Sequence, residues 1–191
     1  MEKLLGQPTL SFDEFIKRLN LSSKFDFKAL KIVFDGYGIE IKNSILIGDN
    51  LALTTIDKKI HFNISKLNVL INYNNINGDD LFFLIAHELS HYIRIKKYGV
   101  DYHLSKLNVN DFEFFSSYLI TEEISCDRFA SLFFYVSKAF KYDGPFNRNF
   151  NLPSKYELYK KNLFFTYEKF LKYDFDYNKI INSYFIAVKR D

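Results

Sequence analysis

The chain's apolar residues are spaced in two ways, and the change from one to the other divides it. Near the start they recur at helical intervals. Ser11-Phe12-Asp13-Glu14 has the form of a capping box, with a hydroxyl at the N-cap and a carboxylate three residues on. Phe12, Phe15, Ile16 and Leu19 then share one helical face. Phe27, Leu30 and Phe34 lie on one side of a second short helix predicted over Phe25 to Asp35, which Gly36 can end in a left-handed conformation. From Ile39 to Tyr73 the apolar runs become short and β-branched. Ile39 to Ile41, Ile45 to Ile47, Leu51 to Ile56, Ile60 to Ile64 and Leu67 to Tyr73 are separated by turn residues such as Gly48-Asp49-Asn50 and Asp57-Lys58-Lys59. That pattern predicts a small, mostly antiparallel sheet. The polar stretch Asn72 to Asn77 reads as a loop.

Helical spacing returns after residue 78. Gly78-Asp79-Asp80 opens a helix to about Tyr98, with Gly99 as its cap, and Asn110-Asp111-Phe112-Glu113 opens another to about Phe140. Gly144, Pro145 and Pro153 mark a loop, and Ser154 to Tyr173 and the segment after Asp176 read as two last helices. The order is two helices, a small sheet and four helices, an α+β layout. We expect one domain over 1–150, with a C-terminal helical extension over 151–191 packed on it.

Composition changes this picture little. Apolar residues at 48% and charged residues at 26% exclude wholesale disorder. The 22 Phe and 14 Tyr, with no Trp, indicate a Phe-rich core. A net charge of +3, with both signs interspersed, gives no reason to expect direct nucleic-acid or membrane binding. The longest apolar runs, such as Leu81 to Ala86, fall far short of the roughly 18 residues a membrane span needs. Met1 to Pro8 lacks the apolar stretch of a signal peptide, and one cysteine permits no intrachain disulfide. A soluble, cytoplasmic protein is the expectation.

One motif carries chemistry. His87-Glu88-Leu89-Ser90-His91 matches H-E-x-x-H. Four residues make about one helical turn, so both imidazoles can reach one ion. Glu88, rotated by about 100° from His87, lies beside that ion and can take a proton from water there. Phe83, Leu84, His87, His91, Ile95 and Tyr98 fall near one stripe, which places the histidines in line with core-facing residues.

A catalytic zinc needs a third protein ligand and an open position. Six residues after His91, where a third histidine would complete one known pattern, stands Lys97. The next long helix offers Leu119, Glu123, Cys126, Asp127, Ala130, Phe133 and Phe134 as one stripe, two carboxylates in an otherwise apolar face. Buried carboxylates need partners. We assign Glu123 as the third ligand and Asp127 as the hydrogen-bond acceptor that fixes one imidazole. Glu122, Cys126 and His103 are the alternative ligands. Glu122 lies on the flank with Tyr118, Ser125 and Phe129, His103 lies between the helices, and Cys126 also reads as a small buried thiol. His61, within a strand, reads as structural.

H-E-x-x-H followed by E-x-x-x-D resembles the gluzincin metallopeptidases. The segment Glu123 to Ala130, ending Asp-Arg-Phe-Ala, most resembles the ImmA/IrrE family, as does the gap of 32 residues between His91 and Glu123. The resemblance covers roughly residues 25–140; Cys126 and Ser90 stand where a small residue and glycine are usual. It implies a zincin-like fold and a zinc-dependent endopeptidase, in that family often directed at regulatory proteins of mobile elements or stress responses. The expected partner is therefore a protein or peptide substrate. An extended peptide would pair with an edge strand, either Ile60 to Ile64 or Leu67 to Tyr73. The alternative is a non-catalytic zinc-binding interaction or regulatory module, whose site would be closed by a fourth protein ligand such as Cys126 or His103.

Overall fold

The computed structural model describes residues 9–21, 25–46, 50–102 and 112–146, and only the backbone of 112–121. The expected C-terminal helices, the extension over 151–191 and His103 lie outside the described residues.

Helix α1 (Phe12–Arg18) starts as its sequence dictates: Glu14 N–H donates to Ser11 Oγ at 3.3 Å and Ser11 N–H to Glu14 Oε2 at 2.8 Å. Helix α2 (Lys28–Tyr37) continues through Gly36, and Gly38, at φ 61°, ends it in the left-handed region. The predicted stop was thus two residues early. Gly36 has no steric need to leave the helix, whereas Gly38 turns the chain into the sheet.

The sheet consists of β1 (Thr9–Leu10), β2 (Glu40–Asn43), β3 (Ala52–Thr54) and β4 (Lys59–Phe62), in the order β1-β2-β4-β3. Its central pair, β2 with β4, is parallel, with Ile41 opposite Ile60; the two outer pairs are antiparallel. The sheet is therefore mixed. Two expected strands are absent among the described residues. After Ser44, whose N–H donates to Phe62 O at 2.9 Å, the chain leaves the sheet, and Ile45 is 90% exposed. Leu67 to Tyr73 belongs instead to helix α3 (Ile64–Asn72). Asn63 caps α3 by accepting from Lys66 N–H at 3.0 Å, and Ile64, Leu67 and Ile71 are its buried residues. Cap chemistry and a helical burial period outweigh the β-branched content that suggested a strand.

Helix α4 (Gly78–Tyr98) carries the histidine motif. Asn77 caps it, accepting from the N–H groups of Asp79 and Asp80, while the Asp80 carboxylate accepts from Asn77 N–H at 2.8 Å. Gly78 lets the helix start against Phe25: a Cβ there would lie 2.0 Å from the ring. The expected single stripe is too narrow. Leu81, Phe82, Ile85, Ala86, Leu89 and Ser90 are all fully buried. Helix α5 (Phe112–Lys138), β3, β4 and α2 pack around α4 and cover it on nearly all sides. Phenylalanines fill the spaces between layers: Phe15 stacks on Phe62 at 4.5 Å and Phe82 on Phe133 at 5.8 Å between centroids. No helix among the described residues is long and apolar enough to cross a membrane.

Candidate metal centre

Three side chains from two helices converge. His87 and His91, one turn apart on α4, set their rings 4.8 Å apart at 74°, with the two Nε2 atoms 3.1 Å from each other. From α5, Glu123 places Oε2 3.4 Å from His87 Nε2 and Oε1 3.3 Å from His91 Nε2. This group can hold a metal ion. The spacing supplies a fit test. In a tetrahedral site with metal–ligand distances of about 2.0–2.1 Å, neighbouring ligand atoms lie about 3.3–3.4 Å apart. The Nε2–Nε2 separation of 3.1 Å is close to one such edge, and Glu123 spans it with one oxygen 3.4 Å from His87 and the other 3.3 Å from His91, so the three groups line one face of the site.

The nitrogen of each ring remote from that face meets another carboxylate. His87 Nδ1 lies 2.7 Å from Asp127 Oδ1. His91 Nδ1 lies 3.7 Å from Glu122 Oε1. Glu122 in turn is gripped by Arg94, whose Nε and Nη2 each donate to one of its oxygens at 2.7 Å. Glu122 and Arg94 are both buried. Cys126, fully buried, also approaches His91: ligand-type atoms of His91, Glu122 and Cys126 lie within 4.8 Å of one another.

The electrostatics follow from this crowding. Burial disfavours a charged His87, but Asp127 and Glu123 outweigh it and push its pKa up to about 9. Burial likewise opposes a charged His91, and Cys126, Glu122 and Glu123 together hold its pKa well above the ordinary imidazole range. Burial would raise the carboxylates; instead, the two rings hold Glu123 far below its usual range, and His91 with Arg94 lower Glu122 to about 2. Anionic carboxylates thus surround two imidazoles, an arrangement that attracts either protons or a metal cation.

Glu88 occupies the flank its position on the helix predicts. Its Oε2 accepts a 2.7 Å hydrogen bond from Thr54 Oγ1, at the end of β3, and its carbonyl oxygen lies 3.0 Å from the same hydroxyl. A cleft of about 470 Å³ opens here, lined by Leu51 to Thr54 on one side, by Phe83, Pro145 and Phe146, and by His87, Glu88, His91, Glu123 and Asp127. The converging trio therefore faces open space.

The structure brings together His87, His91, Glu123, Glu88 and Asp127 as the sequence suggested. It sets Glu122 on the Nδ1 side of His91, away from that trio's face, groups Cys126 with His91 and Glu122, and leaves His61 in β4, with Nδ1 2.9 Å from Ser44 Oγ. Sequence reasoning missed Arg94 and Thr54. Arg94 had a signal, a lone cation within the apolar run Tyr92-Ile93-Arg94-Ile95 that had to find a buried anion. Thr54 had none, because its role depends on where an edge strand crosses α4. The expected docking strands also need correction. β4 is interior to the sheet and Leu67 to Tyr73 is helical, so β3 is the edge strand bordering the cleft. No protein-family model matches this chain, and neither does any curated protein or solved structure.

Proposed function

We propose that this chain is a zinc-dependent metalloendopeptidase of zincin-like fold that cleaves a protein substrate in the cytoplasm. One observation carries the reading: two imidazole nitrogens and a carboxylate converge at the wall of a cleft at separations that suit one metal ion, with the motif's glutamate beside them. His87, His91 and Glu123 would hold the ion, and Asp127 would fix the His87 ring. When bound, zinc supplies Lewis acidity, making water nucleophilic near neutral pH and polarising a carbonyl. Glu88 moves the proton. Thr54 holds its Oε2, so Oε1 takes the proton from the attacking water and delivers it to the leaving amine nitrogen. An extended peptide adds as a strand along β3, which aligns its backbone with the motif. The resemblance to the ImmA/IrrE family points to a regulatory protein as the substrate.

The test pairs metal analysis with cleavage of a proteome-derived peptide mixture, read by mass spectrometry. Wild type and Glu88→Gln should each hold one zinc per chain, while cleavage falls by about 10²-fold or more in the variant. Equal cleavage by the two proteins overturns the mechanism. Stoichiometric zinc with no cleavage by wild type favours the non-catalytic metal-binding module.

A further inference from the structure

The buried Arg94–Glu122 pair lies outside the converging trio, and two bonds of 2.7 Å across α4 and α5 could be read as a clamp between helices. Its placement argues for more. Glu122 Oε1, the oxygen that accepts from Arg94 Nε, is also the atom 3.7 Å from His91 Nδ1. That is the ring nitrogen turned away from Glu123 and His87. Nor does the grouping of His91, Glu122 and Cys126 make a second cation site. Both Glu122 oxygens are already engaged by the guanidinium, whose positive charge would face any dication placed there.

We propose that Glu122, oriented by Arg94, is a positioning residue for the metal centre: it holds His91 in the Nδ1–H tautomer, which leaves Nε2 to the ion. The inference rests on the metal-binding reading of His87, His91 and Glu123. A neutral imidazole carries one proton, and the anion facing one nitrogen decides which nitrogen keeps it. At His87 the corresponding anion is Asp127, 2.7 Å from Nδ1. Glu122 stands a further ångström from His91 and shares its charge with Arg94, so it orients that ring without making it as strong a donor as its neighbour. Arg94 also prevents the carboxylate from swinging onto the ion in place of Glu123, because both its oxygens are held.

Two measurements on the full chain test this. The first is nitrogen-15 NMR of the histidine rings in zinc-loaded wild type. Proton on Nδ1 and metal on Nε2 of His91 is the expected result; the reverse assignment overturns the proposal. The second is the double variant Arg94→Met/Glu122→Leu, which removes both buried charges together and so should fold. Circular dichroism checks the fold, and competition with a chromophoric chelator reads zinc affinity. Affinity should fall about 10–100-fold, with a shifted absorption band in the cobalt-loaded protein. Wild-type affinity and an unshifted cobalt band in the folded double variant reduce the pair to a helix clamp and overturn the proposal. Failure of the metal-binding reading would look different: wild type itself would bind no zinc.

Discussion

Thr54 Oγ1 lies 2.7 Å from Glu88 Oε2, and this single hydrogen bond ties the last residue of the edge strand to the acid of the histidine motif. Sheet and metal helix are thus coupled at the atom where proton transfer is proposed. The hydroxyl also reaches the Glu88 carbonyl at 3.0 Å, so it fixes both side chain and backbone of that residue. Thr54→Val keeps the shape and removes the donor. The zinc content and fold should be unchanged. The turnover rate should drop about 5–10-fold, the equivalent of about 1 kcal/mol of lost orientation. Steady-state kinetics on an identified peptide check this; an unchanged rate would show that Glu88 needs no help from the strand.

The trio predicts a thermal signature. A ligand at about 1,000 times its dissociation constant stabilises the folded state by about 4 kcal/mol, and for a chain of this length each kcal/mol moves the melting temperature by about 2–4 °C. Adding zinc to chelator-stripped protein should therefore raise it by about 8–16 °C. His87→Ala and Glu123→Ala should abolish the response, since each removes one of the three converging ligands. Differential scanning fluorimetry measures it directly. A full zinc response in the Glu123 variant would move the third ligand elsewhere.

Asp127 tests the other side of His87. Its Oδ1 lies 2.7 Å from Nδ1, and replacing it by Asn keeps the volume while removing the charge that orients the ring. Zinc affinity should weaken about 10–100-fold. Calorimetric or chelator-competition titration reads the change. An affinity within about twofold of wild type would reduce Asp127 to a partner of the uncharged ring.

Much of this centre was legible because its logic is local. Two histidines and a glutamate at fixed spacing on a well-capped helix constrain one another, and four residues separate Glu123 from Asp127 on the next. What escaped depends on tertiary placement. The segment Leu67 to Tyr73 carries β-branched residues at positions that also suit a helix, and only the Asn63 cap and the burial of Leu67 and Ile71 decide between them. The parallel pairing of β2 with β4 is set by a chain path that carries β3 out to the edge before it returns. The stripe assigned to α4 was too narrow because the pattern records which residues are apolar, not how many neighbours will cover the helix. Arg94 was overlooked for a related reason: its place in an apolar run calls for a buried anion, but the partner lies 28 residues away and the run does not say which acid it is.

The Arg94–Glu122 pair also makes an acid-stability prediction. Buried Glu122 would bind a proton readily without a partner; His91 and Arg94 instead lower its pKa to about 2, below the ordinary value of 4.5. A carboxyl whose pKa falls on folding adds stability above its unfolded value and loses it as pH drops through the folded one. The pair's contribution should therefore be intact above about pH 5 and fade between about 4.5 and 2. Chelator-stripped wild type should lose a few kcal/mol of unfolding free energy over that interval, part of it through Glu123, whose pKa is lowered by His87 and His91. The Arg94→Met/Glu122→Leu variant should show a shallower acid limb, because it has one fewer carboxylate to protonate. Urea titrations at stepped pH compare the two slopes. Identical acid limbs would mean that Glu122 gains nothing from Arg94 in the folded state.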